Sequence, residues 1–183
     1  MIVKLLSETG YREAISAMRL SRQSTSASLE TIGPEDKKLM LNLLRAGDEH
    51  SVALRMVNFT FKIKAPLYWW KHMDRYSVGK TQASESTMYN IMKRELTAFD
   101  FSHTVDVRII KIVNQYIRTK NFEMVIANLP SGYLQTRIVQ FSLPTLRRII
   151  RQRLNHKLRE WNFFIASILD QVREPEFLFE IEE

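Results

Sequence analysis

Residues 65 to 89 read APLYWWKHMDRYSVGKTQASESTMY. Tyr68, Trp69 and Trp70 run straight into Lys71, His72, Asp74 and Arg75, and the hydroxyls of Ser77, Thr81, Ser84, Ser86 and Thr87 follow. Flat rings stack on planar ligands, while cations and hydroxyls hold phosphate oxygens. Together they suit a nucleotide. Each also has a plainer role: a tryptophan pair is more often core or subunit contact, and Ser84 and Ser86 taken alone are loop hydroxyls.

A second group lies in SLPTLRRIIRQRLNHKLREW, from Ser142. At 100° per residue Leu146, Ile149, Ile150 and Leu154 form the apolar arc of a helix, and Arg153 projects inside it. Arg147, Arg148 and Arg151 fall outside, where solvent is expected. A guanidinium on a buried face needs a partner. Arg153 therefore bridges an internal carboxylate, snorkels to water, or awaits an anionic ligand; the sequence leaves all three open. His50 in DEHS and His156 in NHKL stand isolated, so no catalytic triad or metal-ligand spacing is present and no metal is expected. The five glycines are scattered, without a phosphate-binding loop.

These residues sit in a chain of 183 with 45% hydrophobic and 26% charged residues, a length and composition that predict one globular domain over residues 1–183, which the mixture of predicted helices and strands makes α+β. The net charge of +7 favours an anionic partner. With no cysteine, disulfides, thiolate metal sites and thiol nucleophiles are excluded, and a cytoplasmic location is the expectation. WNFFIASIL, among the longest apolar runs, is too short to span a bilayer, and the N-terminus lacks a signal-peptide pattern.

The positioning elements follow from periodicity. Residues 11–20 predict a helix with Tyr11, Ala14, Ile15 and Met18 inward. A polar loop runs from Ser21, and a helix from Pro34 ends at Gly47. From Met56 the alternation of Val57, Phe59, Phe61 and Ile63 with polar neighbours predicts a half-buried strand stopped by Pro66. A helix follows over 67–76. Residues 109, 112, 113, 116 and 117 mark another helical face. A Pro-Ser-Gly turn then leads into a short strand. Ser142 as N-cap and Pro144 in the first turn open one long helix reaching the C-terminal region.

In order and spacing, these residues resemble the flavin-dependent thymidylate synthases. AMRLS, with Ala17, Arg19 and Ser21, is similar to the end of that family's first helix; His50-Ser51 matches its His-Ser/Thr pair and FTFKIKAP its strand motif. KHM at 71–73 looks like the Arg-His-Arg signature by eye, but the ungapped count from Ala65-Pro66 prefers Arg75-Tyr76-Ser77. Ser84, Ser86 and Tyr89 fit the continuation, with Met88 in place of an arginine. Arg137 and Arg153 occupy the two C-terminal arginine positions, while Ser142 and Arg148 replace flavin-contacting asparagines. The likeness covers roughly residues 11–165 and, through YWWK, VG and NHKLREW, is greatest to a divergent bacteriophage branch.

The resemblance implies a mixed or antiparallel sheet with flanking helices, and a homotetramer with sites shared between subunits in a bacterial or phage-infected cytoplasm. It also implies methylation of dUMP to dTMP with methylenetetrahydrofolate, FAD and NADPH. It assigns Arg153 to catalysis and, with Arg137, Ser84 and Ser86, to substrate binding. His50, Ser51, Arg75, Tyr76 and His156 would hold the cofactor. Two alternatives stand beside it: a catalytically silent homologue that binds a nucleotide or nucleotide-like ligand, and a basic nucleic-acid-binding protein, for which no DNA-reading motif is present.

Overall fold

The computed structural model describes residues 1–20 and 32–179. Most of the loop predicted from Ser21, and Ser21 itself, lie outside them. The strands are β1 (Ile2–Thr9), β2 (Asn58–Pro66), β3 (Lys80–Ser84) and β4 (Leu134–Ser142). The helices are α1 (Tyr11–Leu20), α2 (Pro34–Ala46), α3 (Leu67–Met73), α4 (Thr87–Asn90), α5 (Val107–Arg118), α6 (Phe122–Asn128), α7 (Leu143–Arg153) and α8 (Arg159–Gln171). The strands form one antiparallel sheet in the order β1-β2-β4-β3. Leu143 N donates to Val57 O (2.9 Å) and Leu67 N to Tyr133 O (3.0 Å), so one strand ascends as its neighbour descends.

The chain divides into two compact units, one of residues 1–2, 62–76 and 82–138, the other of 3–61, 77–81 and 139–183. In the second, Val57, Phe59 and Phe61 of β2 together with Val139 and Phe141 of β4 are fully buried, Val57 standing just before β2. Phe141 meets Phe61 at 6.4 Å and Phe164 of α8 at 6.5 Å between ring centres. Each such ring contributes about 1.5–3 kcal/mol on burial. The α1 face is the expected one: Tyr11, Ala14, Ile15 and Met18 are buried. Gly10 makes its approach possible, since at φ +91° a Cβ would lie 1.9 Å from Met56 O. Pro34 opens α2 and Gly47 closes it, as expected.

In the first unit, Ile91, Leu96, Phe101, Ile110, Val113, Ile117, Val125 and Tyr133 form the core. Asn114 is buried there with both ends of its amide engaged: it accepts from Leu96 N (2.7 Å) and donates to Leu96 O (2.8 Å). Trp69 and Trp70 are core residues, packed edge to face at 4.9 Å, and Trp70 Nε1 donates to Gln135 O (3.0 Å). The aromatic platform is thus interior, the plainer of its two sequence readings.

Four local expectations change. Residues 52–56 form a 3₁₀ turn, so β2 begins at Asn58 and not at Met56. On α5 the buried stripe is Ile110, Val113, Asn114 and Ile117, while Ile109 and Ile112 face outward; the apolar arc is wider than the surface available to cover it. The long helix is two helices, because Leu154 is extended (ψ 136°) and Asn155 takes a left-handed φ of 56°. Leu154 is consequently exposed, outside its predicted arc. Arg147, expected in solvent, is buried and donates to Phe177 O (2.9 Å), because the C-terminal segment covers that side of α7.

Candidate functional site

Each unit holds a polar cavity. In the unit containing α7, the turn after α2 brings Asp48 beneath α7. Its backbone carbonyl accepts from Ser51 Oγ (3.3 Å) and Arg55 Nη2 (3.2 Å). Its carboxylate lies 3.6 Å from Arg148 Nη1. Two lobes of ≈ 370 and ≈ 290 Å³ adjoin this pair, sharing Asp48, Pro144 and Arg148 as lining residues. Arg55, Lys80, Ser142 and Thr145 line the larger lobe; Arg45, Ser51 and Arg151 line the smaller.

The larger lobe has a built wall. Ser142 occupies the N-cap position of α7, but its side chain caps no backbone N–H. Instead Ser142 Oγ donates to Thr145 Oγ1 (3.1 Å), which donates to Val78 O (3.1 Å). Beside them Gly79 sits at φ +69°, where a Cβ would lie 2.2 Å from Thr145 Oγ1. Only glycine fits there without displacing the hydroxyl.

Arg153, at the end of α7, lines neither lobe: its guanidinium lies 4.9 Å over the Trp161 ring. His156 follows in the turn, its Nδ1 accepting from Leu158 N (3.0 Å). Burial holds its pKa below the ordinary 6.5, and the charges of Arg153 and Lys157 push the same way. His50 is exposed; Ser51 is buried and lines the smaller lobe.

In the other unit a cavity of ≈ 450 Å³ is bounded by Lys64 of β2, Ser86, Thr87 and Asn90 of α4 and its cap, Lys93, and Thr136 of β4. Ser86 Oγ caps α4 by accepting from Tyr89 N (3.2 Å). Lys93 Nζ lies 3.7 Å over the Tyr89 ring and donates to Asn90 Oδ1 (2.8 Å). Arg94 is held by both oxygens of Asp100 (2.8 and 2.6 Å), and that pairing lowers the Asp100 pKa to about 2. Arg137 points elsewhere. It donates to Asp74 (2.7 Å) and Gln135 Oε1 (2.9 Å) and lies 4.3 Å over Trp70. Ser84 and Arg75 are exposed and Tyr76 is buried; none of the three lines this cavity.

The structure therefore gathers Ser51 with Arg148 and Arg151, and Ser86 with Lys64 and Lys93. Sequence reasoning missed Asp48, Arg55 and Lys80 in one cavity and Lys64, Lys93 and Arg94 in the other. For Lys64 the signal was present, since it occupies the polar phase of the strand alternation. Among the described residues no group of three or more His, Cys, Asp or Glu is placed to hold a metal ion, and no helix is long and apolar enough to cross a membrane.

No family model matches the sequence, and neither does any curated protein. Solved structures do match. The flavin-dependent thymidylate synthase ThyX from Helicobacter pylori, complexed with FAD and dUMP, superposes with a TM-score of 0.84 at 19% identity, covering 98% of this chain and 98% of that one. A UMP/dUMP methylase, PolB from Streptomyces cacaoi, bound with 5-Br dUMP, gives 0.67 at 14% identity over 92% and 90%. The fold of this chain is the one seen in those flavin-dependent thymidylate synthases.

Proposed function

We propose that the chain, acting as one domain over residues 1–183, is a thymidylate synthase-type methyltransferase that converts dUMP to dTMP. It would use methylenetetrahydrofolate as carbon donor, FAD as cofactor and NADPH as reductant. The observation that carries this reading is the likeness, over 98% of both chains, to a synthase holding FAD and dUMP. FAD, when bound, supplies the hydride chemistry. The cation- and hydroxyl-lined lobes, with the Gly79 recess, suit its charged portion.

The chain's own side chains would then orient and neutralise. His50, Ser51, Arg75, Tyr76 and His156 face the cofactor. Ser86 takes the nucleotide phosphate, with Lys64 and Lys93 beside it compensating for Met88, and Arg137 and Ser84 would join it only on leaving their present positions. Arg153 stabilises the negative charge that the uracil ring oxygens gain as C5 becomes nucleophilic. A homotetramer in the cytoplasm, of bacterial or phage origin, belongs to the same reading.

One observation favours a second reading, a homologue that binds nucleotides without turnover: the Arg137 fork is already engaged by Asp74 and Gln135. A nucleic-acid-binding role has less support, since Arg147 is buried and α7 presents no continuous basic ribbon.

The test is the visible spectrum of the purified protein, followed by NADPH oxidation assays. A flavin spectrum and oxidation that requires both dUMP and methylenetetrahydrofolate support the first reading. Nucleotide-induced thermal stabilisation without turnover selects the second. A colourless protein that takes up no added FAD removes the first.

A further inference from the structure

Arg153 leaves the last turn of α7 half-buried, with its Nε screened from water. Its guanidinium lies 4.9 Å over the ring of Trp161, which is fully buried. That ring is itself fixed. Trp161 meets Phe164 edge to face at 5.7 Å, Phe164 meets Phe141 of β4 at 6.5 Å, and Phe141 meets Phe61 of β2 at 6.4 Å. A column of aromatic rings thus runs from the sheet to the cation. His156 packs against the same indole at 6.3 Å, and its Nδ1 accepts from Leu158 N, which pins the turn between the two helices.

An arginine side chain has many rotamers, and a cation that must be oriented anew at each turnover stabilises developing charge poorly. Stacking acts on the face of a guanidinium, whereas its N–H donors lie along the edge. An aromatic platform can therefore set the plane of the group while its edge meets an oxyanion. We propose that Trp161 is the positioning residue for Arg153: the indole face sets the plane in which the guanidinium meets the uracil oxygens. This role rests on the methyltransferase reading for those oxygens, and on the column of rings for the aim. Trp161 touches no ligand; it acts through Arg153. A shift of about 1 Å in such a group costs on the order of 10²-fold in rate, so a deformed platform shows in turnover more than in substrate binding.

Two measurements on the whole 183-residue chain test it. The first needs no ligand. It follows the Nε–H proton resonance of Arg153, assigned by its loss in Arg153→Lys. A proton held over an indole is shifted upfield by the ring current, and one screened from water exchanges slowly. Wild type is expected to show both effects, Trp161→Phe a smaller shift, and Trp161→Leu a resonance in the solvent-exposed range. A wild-type resonance already in that range, or one that Trp161→Leu leaves in place, overturns the proposal whatever the protein catalyses.

The second is dUMP-dependent turnover per folded, flavin-loaded chain. Trp161→Phe is expected to lower kcat about threefold and Trp161→Leu about thirtyfold, each with KM for dUMP within about twofold of wild type. Lysine keeps the charge but has no plane to set, so adding Trp161→Leu to Arg153→Lys is expected to lower kcat by less than about twofold. Ile168→Ala opens a cavity on the same buried face of α8, about two turns from Trp161. It is expected to lower the urea midpoint and keep the wild-type kcat. Equal losses of kcat in Ile168→Ala and Trp161→Leu, or the full loss repeated in the double variant, make Trp161 a core residue only; either overturns the proposal and leaves the methyltransferase reading intact. A wild type that neither binds dUMP nor turns over removes that reading and this role with it.

Discussion

In the unit built around Ile91, Leu96 and Phe101, cations are satisfied from within: Arg94 by Asp100, Arg137 by Asp74 and Gln135, Lys93 by Tyr89 and Asn90. In the unit containing α7, six basic side chains face two lobes and one carboxylate stands among them at 3.6 Å from its partner. The first arrangement spends charge on holding loops and strands in place. The second ties down part of its charge as well, Arg147 to Phe177 O and Arg55 to Asp48 O, and leaves the Arg148–Asp48 pair at a longer separation. Net charge cannot separate them, because it counts a tightly paired arginine and a loosely paired one alike.

This contrast can be broken in graded ways. The largest effect belongs to the scaffold: Trp70→Ala, which removes a fully buried ring lying under Arg137, is expected to cost about 3–5 kcal/mol in urea unfolding. Next is Asp100→Asn. It weakens the hold on Arg94 and on Thr97 N and Oγ1, at a cost of about 1–3 kcal/mol. Because the folded pKa of Asp100 is about 2, below its ordinary 3.8, its contribution is present above pH 3.8 and is lost as pH falls towards 2. The stability slope of wild type across that acid window should be flatter in the variant.

His156 comes third. Its folded pKa lies below 6.5, so the neutral ring is the stabilising form; that contribution is present above pH 6.5 and is lost as pH falls through the folded value. Protonation at Nδ1 removes the acceptor for Leu158 N, so the protection factor of the Leu158 amide, corrected for the intrinsic rate at each pH, should fall more on acidification than in His156→Asn. Smallest is Asp48→Asn, expected to change stability by less than about 0.5 kcal/mol. A large loss there would make the Asp48–Arg148 pair a structural one, and the two units would no longer differ.

How much of this was legible depended on the range of the interactions. The β2 alternation exposed its buried phase, Phe59, Phe61 and Ile63, with Val57 continuing it just outside the strand, because a strand's two faces repeat with period two. The α1 face and the Gly47 stop were equally local. On α5 the sequence offered more apolar arc than one neighbour covers, and the choice of stripe was made by the segments folded back on either side of it, at Phe101 and Val125, whose return no helical period announces. The break at Asn155 had only a weak local signal, since asparagine tolerates left-handed backbone without requiring it. Asp48 and Arg148 are brought together by the fold, so no window of sequence could pair them. Arg153 was singled out as needing a partner, and its guanidinium lies over the Trp161 ring, which an unbroken helix would have placed out of reach.

That last point has a geometric consequence. On a straight rod, eight residues advance about 12 Å along the axis, so Arg153 and Trp161 would stand more than two turns apart. The elbow at residues 154–158 folds the indole back until the guanidinium perches 4.9 Å above it. The aim of that cation is thus written in a five-residue hinge and not in either helix, and inserting a single residue there would unseat it while leaving both helices whole.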